Sequence, residues 1–183
     1  MKILTPWANG LEEMEAVIIV DMFRRAGWSV TAAGLAPGPV KASRGVRLVP
    51  DALWDETDPL SFDALVLPGG GPGAEALSRH AGVKDAIRRM SEAGKTVAAI
   101  CAAPLALAEA GVLKGREATC YPTLAPRLEA AGATYRDAPV VTDGVVVTSQ
   151  GPGTCFAFAL ALIERLADAA TARQLAQAGR IQV

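Results

Sequence analysis

The chain has 183 residues, 51% of them hydrophobic, and its 18 basic and 19 acidic residues give a formal net charge of −1. This length suffices for one domain with a sizeable core, and we predict a single domain over residues 1–183. The scattered, balanced charge disfavours nucleic-acid binding, and no apolar run approaches the ~20 residues that span a membrane.

Short apolar stretches alternate along the chain with segments of helical spacing. In chain order the pattern predicts a strand over 2–5, a helix over 11–26, a strand over 28–36, a strand over 64–67, a helix over 83–93 and a strand over 96–100. Cys101 follows, and after it the pattern predicts a helix up to Gly111, a strand over 118–121, a helix over 124–131, a strand over 145–149 and a helix over 154–167. Strands that are apolar throughout are typical of parallel sheets covered on both faces. The sequence therefore predicts an α/β fold, a doubly wound, mostly parallel sheet sandwiched by helices.

Three features follow directly after predicted strands: Cys101, the glycine-rich run 68–73 and the loop after Ser149. In open sheets of parallel strands, ligands bind at the carboxyl ends of the strands. We therefore expect these three features to lie at one edge of the sheet and to form the functional site.

Cys101 stands at the junction between a predicted strand and a predicted helix, in the stretch AAICAAP. Small neighbours around a nucleophile are typical of a sharp strand-to-helix elbow, and Pro104 is tolerated in a first helical turn. A helix N-terminus beside the sulfur is expected to lower the pKa of the thiol. The alternative is a buried thiol that packs as a small hydrophobe.

Glu15 occupies an unusual place in the first predicted helix, because its spacing puts it on one stripe with Leu11, Ile18 and Met22. A carboxyl group on an apolar stripe is expected to be paired or to have a raised pKa. A raised pKa suits a general acid or base near neutral pH. The alternative is a glutamate at the stripe edge whose head reaches water.

The run PGGGPG, residues 68–73, formally matches a dinucleotide-binding fingerprint, but it lies in mid-chain and contains two prolines. A glycine-rich turn at a strand end can instead direct a backbone N–H at an oxyanion, beside the N–H that follows a nucleophile. The alternative is a tight surface turn.

Three cysteines, an odd and low number, disfavour a disulfide framework and favour a reducing compartment. The first ten residues lack the apolar core and cleavage site of a signal peptide. We therefore predict a cytoplasmic protein with no membrane partner. One histidine and three dispersed cysteines offer no ligand cluster, so we predict neither a metal nor another cofactor.

Three stretches together resemble the ThiJ/PfpI superfamily, specifically its parkinsonism-associated deglycase branch and the bacterial relatives of that branch. They are GLEEMEAVIIVDMFRRAGWSVTAAGL, then LVLPGGGPGAEAL with AAICAAP, and TSQGPGTCFAFALALIERL. Their order and spacing hold from about Lys2 to Ala167. The resemblance implies a flavodoxin-like fold, a homodimer and a reactive cysteine at the elbow.

The resemblance also assigns roles to single residues. Cys101 matches the nucleophile, Glu15 the carboxyl group that contacts it, and Gly70 and Ala102 the positions whose backbone N–H groups form the oxyanion site. Arg44 matches an arginine of the pocket and of the dimer contact. The substrate-binding residues that it implies are Gly71, Arg44, Tyr121, Gly151 and Pro152.

One departure concerns the histidine that many members have before a proline, where this chain has Tyr121. Tyrosine is a poor base at neutral pH, and the only histidine, His80, lies outside the matching motifs. A peptidase of this superfamily would need histidine in place of Ala102. A glutamine amidotransferase would need a histidine downstream of Cys101, and none follows it.

The function that the resemblance implies is that of a glutathione-independent glyoxalase or deglycase. Such an enzyme acts on methylglyoxal-type 2-oxoaldehydes or on their early glycation adducts, and it protects against carbonyl and oxidative stress. The alternative is a non-catalytic redox sensor or chaperone in which oxidation of Cys101 is the signal. A reactive thiol serves either function, because thiolate character governs both nucleophilicity and oxidation.

Overall fold

The computed structural model describes residues 1–182 of the chain. Its strands are β1 (Lys2–Trp7), β2 (Ser29–Gly34), β3 (Val40–Lys41), β4 (Arg47–Leu48), β5 (Ala52–Leu53), β6 (Ala64–Leu67), β7 (Thr96–Ile100), β8 (Glu117–Ala118), β9 (Thr134–Tyr135), β10 (Val140–Asp143) and β11 (Val146–Ser149). Its α-helices are α1 (Glu13–Arg25), α2 (Gly71–Arg79), α3 (Ala81–Glu92), α4 (Pro104–Glu109), α5 (Ala125–Ala130), α6 (Cys155–Leu166) and α7 (Ala169–Ala178).

The central sheet has seven strands in the order β10-β11-β7-β6-β1-β2-β5. Every neighbouring pair is parallel except β10 with β11, which is antiparallel. The five inner strands follow the order 2-1-3-4-5 that defines a flavodoxin-like sheet. The prediction of a doubly wound, mostly parallel α/β sheet is confirmed.

Helices cover both faces of the sheet. On one face α1 packs against α6, and α6 packs against α7, whereas α2, α3 and α4 pack together on the other. The strands β6 and β7 are buried along their whole length, as continuous apolar runs require between two helical layers. No helix within residues 1–182 is long and apolar enough to cross a lipid bilayer.

Two helices were missing from the sequence prediction. Helix α2 starts at Gly71, within the run interpreted as a turn, because Gly71 and Pro72 fill a first turn whose N–H groups need no partner inside the helix. Helix α7 follows α6 after a short break, and the side chain of Asp168 caps it by accepting the N–H of Thr171 at 2.8 Å.

Several predicted bounds were wrong by a few residues. The strand predicted over 118–121 is the two-residue strand β8, because the backbone N–H of Tyr121 bonds to Cys101 and leaves the ladder. The helix predicted directly after Cys101 begins only at Pro104. The helix predicted from residue 11 begins at Glu13, because Glu12 is its N-cap.

Candidate active site

The candidate site lies at the carboxyl ends of β1, β6 and β7. The chain runs outward from β1 to β2 on one side and from β6 to β7 on the other, so the switch in direction falls between β1 and β6. Ligands of open α/β sheets bind in the crevice at such a point. The loops that meet there are 8–12, 68–70 and 101–103.

Cys101 sits on a strained backbone, with a φ of +63°. A residue with a Cβ atom pays about 1–3 kcal/mol for this region, so the surrounding structure must hold it there. The N–H of Cys101 donates to the carbonyl of Ser149 at 3.0 Å, and its own carbonyl accepts the N–H of Tyr121 at 2.8 Å. These two bonds fix the peptide groups on either side of the sulfur, which is the geometry of a nucleophile elbow.

Glu15 projects from the first turn of α1 into the protein and is fully buried. Its Oε2 atom accepts the N–H of Gly69 at 2.7 Å, while Oε1 is buried with no hydrogen-bond partner among residues 1–182. Burial raises the pKa of Glu15 to about 7, and the negative charge of Glu12 adds to this shift. The raised pKa expected from the apolar stripe is present, and the alternative of a head that reaches water is wrong.

The prediction of a lowered thiol pKa is wrong for the resting protein. Burial and the negative charge of Glu15 raise the pKa of Cys101 to about 12, although hydrogen bonds from the N–H groups of Gly70 and Ala102 oppose the shift. The helix dipole has little influence here, because α4 begins three residues after the sulfur. Burial and a neighbouring carboxylate therefore outweigh the helix.

Glu15 and Cys101 titrate as a coupled pair, because the state of each side chain affects the ionisation of the other. A proton on Glu15 removes the repulsion that opposes ionisation of Cys101. The pair therefore holds one proton more readily than none, and either group can carry it. A proton that moves between a sulfur and a carboxyl group is what acid–base assistance to a nucleophile requires.

The backbone around Glu15 and Cys101 leaves no room for side chains at two glycines. A Cβ atom on Gly69 would lie 2.6 Å from the Cβ of Cys101 and 2.7 Å from Oε2 of Glu15. A Cβ atom on Gly70 would lie 2.5 Å from the carbonyl carbon of Leu11, and the φ of Gly70 is +89°. The glycines therefore allow the β6 loop to touch both α1 and the elbow.

Gly70→Ala is expected to lower the free energy of unfolding by at least about 2 kcal/mol more than Gly94→Ala does. Gly94 is the matched control, because its φ of +73° carries a similar backbone penalty but a Cβ atom there would have nothing within 4 Å. Urea unfolding of the two variants measures the difference. Equal losses of stability in the two variants would show that the β6 loop moves away from α1 without a measurable loss of stability, and that the two are not tightly packed.

A cleft of about 470 Å³ opens above the sulfur of Cys101. Its lining residues are Glu12, Ser43, Arg44, Gly70, Gly71, Pro72, Cys101, Ala102, Tyr121, Thr123, Leu124 and Pro152. Four of the five predicted substrate-binding residues are among them, and Gly151 is not. Gly151 is buried behind this wall, where a Cβ atom would lie 3.6 Å from the ring of Tyr121.

Pro72 belongs to the glycine-rich run 68–73 that was expected at the site, whereas sequence reasoning missed four lining residues: Glu12, Ser43, Thr123 and Leu124. Only Glu12 carried a usable signal, since it stands three residues before Glu15 in the acidic start of α1. Ser43 reaches the cleft because Glu13 holds its loop. The carboxylate of Glu13 accepts the hydroxyl of Ser43 at 2.8 Å and the backbone N–H of Arg44 at 2.8 Å.

The remaining cysteines and the histidine lie elsewhere. Cys120 and Cys155 are fully buried, as expected for packing residues, and the sulfur of Cys155 lies 3.7 Å from the backbone carbonyl oxygen of Glu15. His80 caps α3 by accepting the N–H of Val83. Within the described part of the chain, no three side chains of His, Cys, Asp or Glu gather as metal ligands would.

Comparison with known proteins places this chain in a family. The model of the DJ-1/PfpI family matches residues 1–165. Protein dj-1beta of Drosophila melanogaster is 43% identical over 171 residues, which cover 93% of this chain and 91% of that protein. Its crystal structure is similar with a TM-score of 0.95 and 40% identity, over 100% of this chain and 98% of that one.

Two further relatives have names that state an activity. A glutathione-independent glyoxalase of Caenorhabditis elegans is 36% identical over 155 residues, which cover 85% of this chain and 82% of that protein. A deglycase of Thermococcus kodakarensis is 38% identical over 158 residues, which cover 86% of this chain and 95% of that protein.

Proposed function

Because the chain belongs to the DJ-1/PfpI family, we propose that it is a cysteine-dependent, glutathione-independent glyoxalase or deglycase. Its substrates are 2-oxoaldehydes such as methylglyoxal or their early glycation adducts. The observation that carries this proposal is the pairing of Cys101, on a strained elbow, with the buried carboxyl group of Glu15. The homodimer and the cytoplasmic location stay predictions.

The first step forms a covalent adduct. The sulfur of Cys101 adds to the aldehyde carbon, its proton passes to Glu15, and the carbonyl π electrons move to the oxygen. The N–H groups of Gly70 and Ala102, which already point at the sulfur, stabilise the oxyanion beside it. Glu15 then protonates this oxygen, and the product is a hemithioacetal.

The second step moves a proton between the two substrate carbons. Ionised Glu15 removes the proton from the carbon bonded to sulfur, which gives an enediolate, and returns this proton to the neighbouring carbon. The hydroxyl proton on the first carbon moves to the oxygen of the second, so the first oxygen becomes the thioester carbonyl. The adduct is now a thioester of a 2-hydroxy acid. A pKa of about 7 suits this exchange, because Glu15 both gives and takes protons near neutral pH.

The last step is hydrolysis. Water adds to the thioester carbon, the carbon–sulfur bond breaks, and the proton left over returns to the thiol. One substrate carbon is oxidised and the other reduced, so the reaction balances without an external oxidant or reductant. Methylglyoxal would leave as lactate.

Lactate formation from methylglyoxal by the purified protein, in buffer without glutathione, tests the proposal. We expect lactate to accumulate in large molar excess over the protein. Consumption of the aldehyde without lactate would mean that protein thiols and amines merely trap it. Such a result would refute the enzymatic function.

Tyr121→His is expected to raise kcat/KM for methylglyoxal by about tenfold, because the substitution adds a second acid–base group to the cleft. Tyr121 lines the cleft and is 46% exposed, so a histidine fits there. The hydrogen bond to Cys101 comes from the backbone of residue 121 and survives the substitution. Tyr121→Phe is the matched control, and an equal gain in both variants would assign the effect to the removed hydroxyl.

A further inference from the structure

Glu12 stands at the N-terminus of α1 and also lines the cleft. Its Oε2 atom accepts the backbone N–H of Glu15 at 2.7 Å, and its own backbone N–H donates to the carbonyl of Gly69 at 2.9 Å. The N–H of the same residue, Gly69, donates to Oε2 of Glu15. Glu12 and Glu15 are thus held on either side of one glycine, within a single helical turn.

Helix capping alone does not explain a glutamate at this position. Serine, threonine, aspartate and asparagine are the preferred N-cap residues, and a neutral serine would satisfy the same N–H. Glutamate adds a negative charge beside a carboxyl group that is already buried. A like charge at this range disfavours ionisation of Glu15, and after burial it is the next cause that raises the pKa of Glu15.

The groups that face Glu15 from other elements do not cancel this charge. The elbow contributes the thiol of Cys101, and α6 contributes the thiol of Cys155. Glu13 directs its carboxylate to the loop of Ser43, and Arg44 is an exposed cation of the cleft wall. Within residues 1–182 no lysine or arginine forms an ion pair with Glu12 or Glu15.

We propose that Glu12 is a positioning residue of this site, which orients Glu15 through the helix cap and, through its negative charge, increases the affinity of Glu15 for a proton near neutral pH. A carboxylate with a higher proton affinity is a better acceptor for the thiol proton in the first step. The predicted effect of Glu12 on catalysis rests on the proposed function, whereas its predicted effect on the protonation of Glu15 does not.

The experiment is a pH titration of the protein labelled with carbon-13 at the glutamate carboxyl groups. The signal of Glu15 is identified by its loss in Glu15→Gln. Two neutral variants, Glu12→Gln and Glu12→Ser, keep a capping oxygen and remove the charge. If one of them folds poorly, the other still tests the inference. Glu12→Asp keeps both charge and cap. Asp168→Asn is the matched control, because it removes a cap charge at α7, beyond the far end of α6.

We expect the midpoint of Glu15 near pH 7 in the wild type and in Glu12→Asp. It should fall by about 0.5 to 1 pH unit in both neutral variants. Asp168→Asn should leave it in place. An unchanged midpoint in the neutral variants, or an equal fall in Asp168→Asn, would overturn the inference.

The pH dependence of lactate formation then tests the catalytic meaning. The limb of the pH profile of kcat/KM that reports the ionisation of Glu15 should shift in each variant by as much as the carbon-13 titration midpoint of Glu15. A uniform loss at every pH, with no displaced limb, would show a purely structural cap and overturn it. A wild-type protein that forms no lactate would refute the proposed function, and the carbon-13 titration would still decide the charge effect.

Discussion

Cys101→Ser is expected to lower lactate formation from methylglyoxal by at least about 10³-fold, and Glu15→Gln by about 10²- to 10⁴-fold. Serine keeps the shape of the elbow but offers an oxygen that ionises far less readily than sulfur. Glutamine can still accept the N–H of Gly69, yet it neither gives nor takes a proton. Each variant therefore removes one chemical role while the cleft stays in place.

Two controls separate these roles from general damage. Cys120→Ala removes a buried thiol that does not line the cleft, and Glu164→Gln removes an exposed carboxylate of α6. Both should retain wild-type turnover. Full activity in Cys101→Ser would place the nucleophile elsewhere and contradict the proposed mechanism.

Glu15→Gln is also expected to be more stable than the wild type at neutral pH, although it is less active. The pKa of Glu15 is about 7 in the folded protein, against an ordinary value of 4.5. Between these two pH values the folded state keeps a proton that the unfolded state releases. The contribution of Glu15 to the stability of the wild type is therefore highest below about pH 4.5 and falls as the pH rises to about 7.

Relative to Glu15→Gln, the wild type should have lost about 3 kcal/mol of its free energy of unfolding by pH 8, because a shift of one pKa unit corresponds to about 1.4 kcal/mol. Urea unfolding at pH 5 and at pH 8 measures the change in each protein. Glu164→Gln serves again as the control and should follow the wild type at both pH values. Parallel pH dependence in Glu15→Gln and the wild type would mean that Glu15 ionises as freely as a surface carboxyl group. The expected difference between the two proteins would instead identify burial of this acid as a stability cost that the protein keeps for activity.

Local pattern was sufficient for the strands that carry the site. The strands β6 and β7 were predicted at Ala64–Leu67 and Thr96–Ile100, as the structure has them. Each is an uninterrupted apolar run bounded by a breaker, which is the pattern that periodicity detects best. Helix α2 was missed because glycine and proline fill its first turn, and composition alone does not distinguish such a turn from a loop.

The stripe position of Glu15 showed that a carboxyl group would be unusual there, but it did not show whether water reaches it. That was decided by the β6 loop, which closes over the carboxyl group through Gly69. The same holds for Glu12, whose place in the cleft depends on where the loop after β6 crosses the start of α1.

By itself the sequence determined the parallel sheet, its helical layers and the elbow position of Cys101, because these follow from apolar periodicity and from small residues at one junction. Only the tertiary structure decided the protonation of the site. The dipole of the nearby helix is a local property and predicted a low thiol pKa. Burial and the charge of Glu15 come from segments distant in the chain, and they raise the pKa to about 12. Electrostatic effects depend on distances in space and on the exclusion of water, and both are set only when the chain folds.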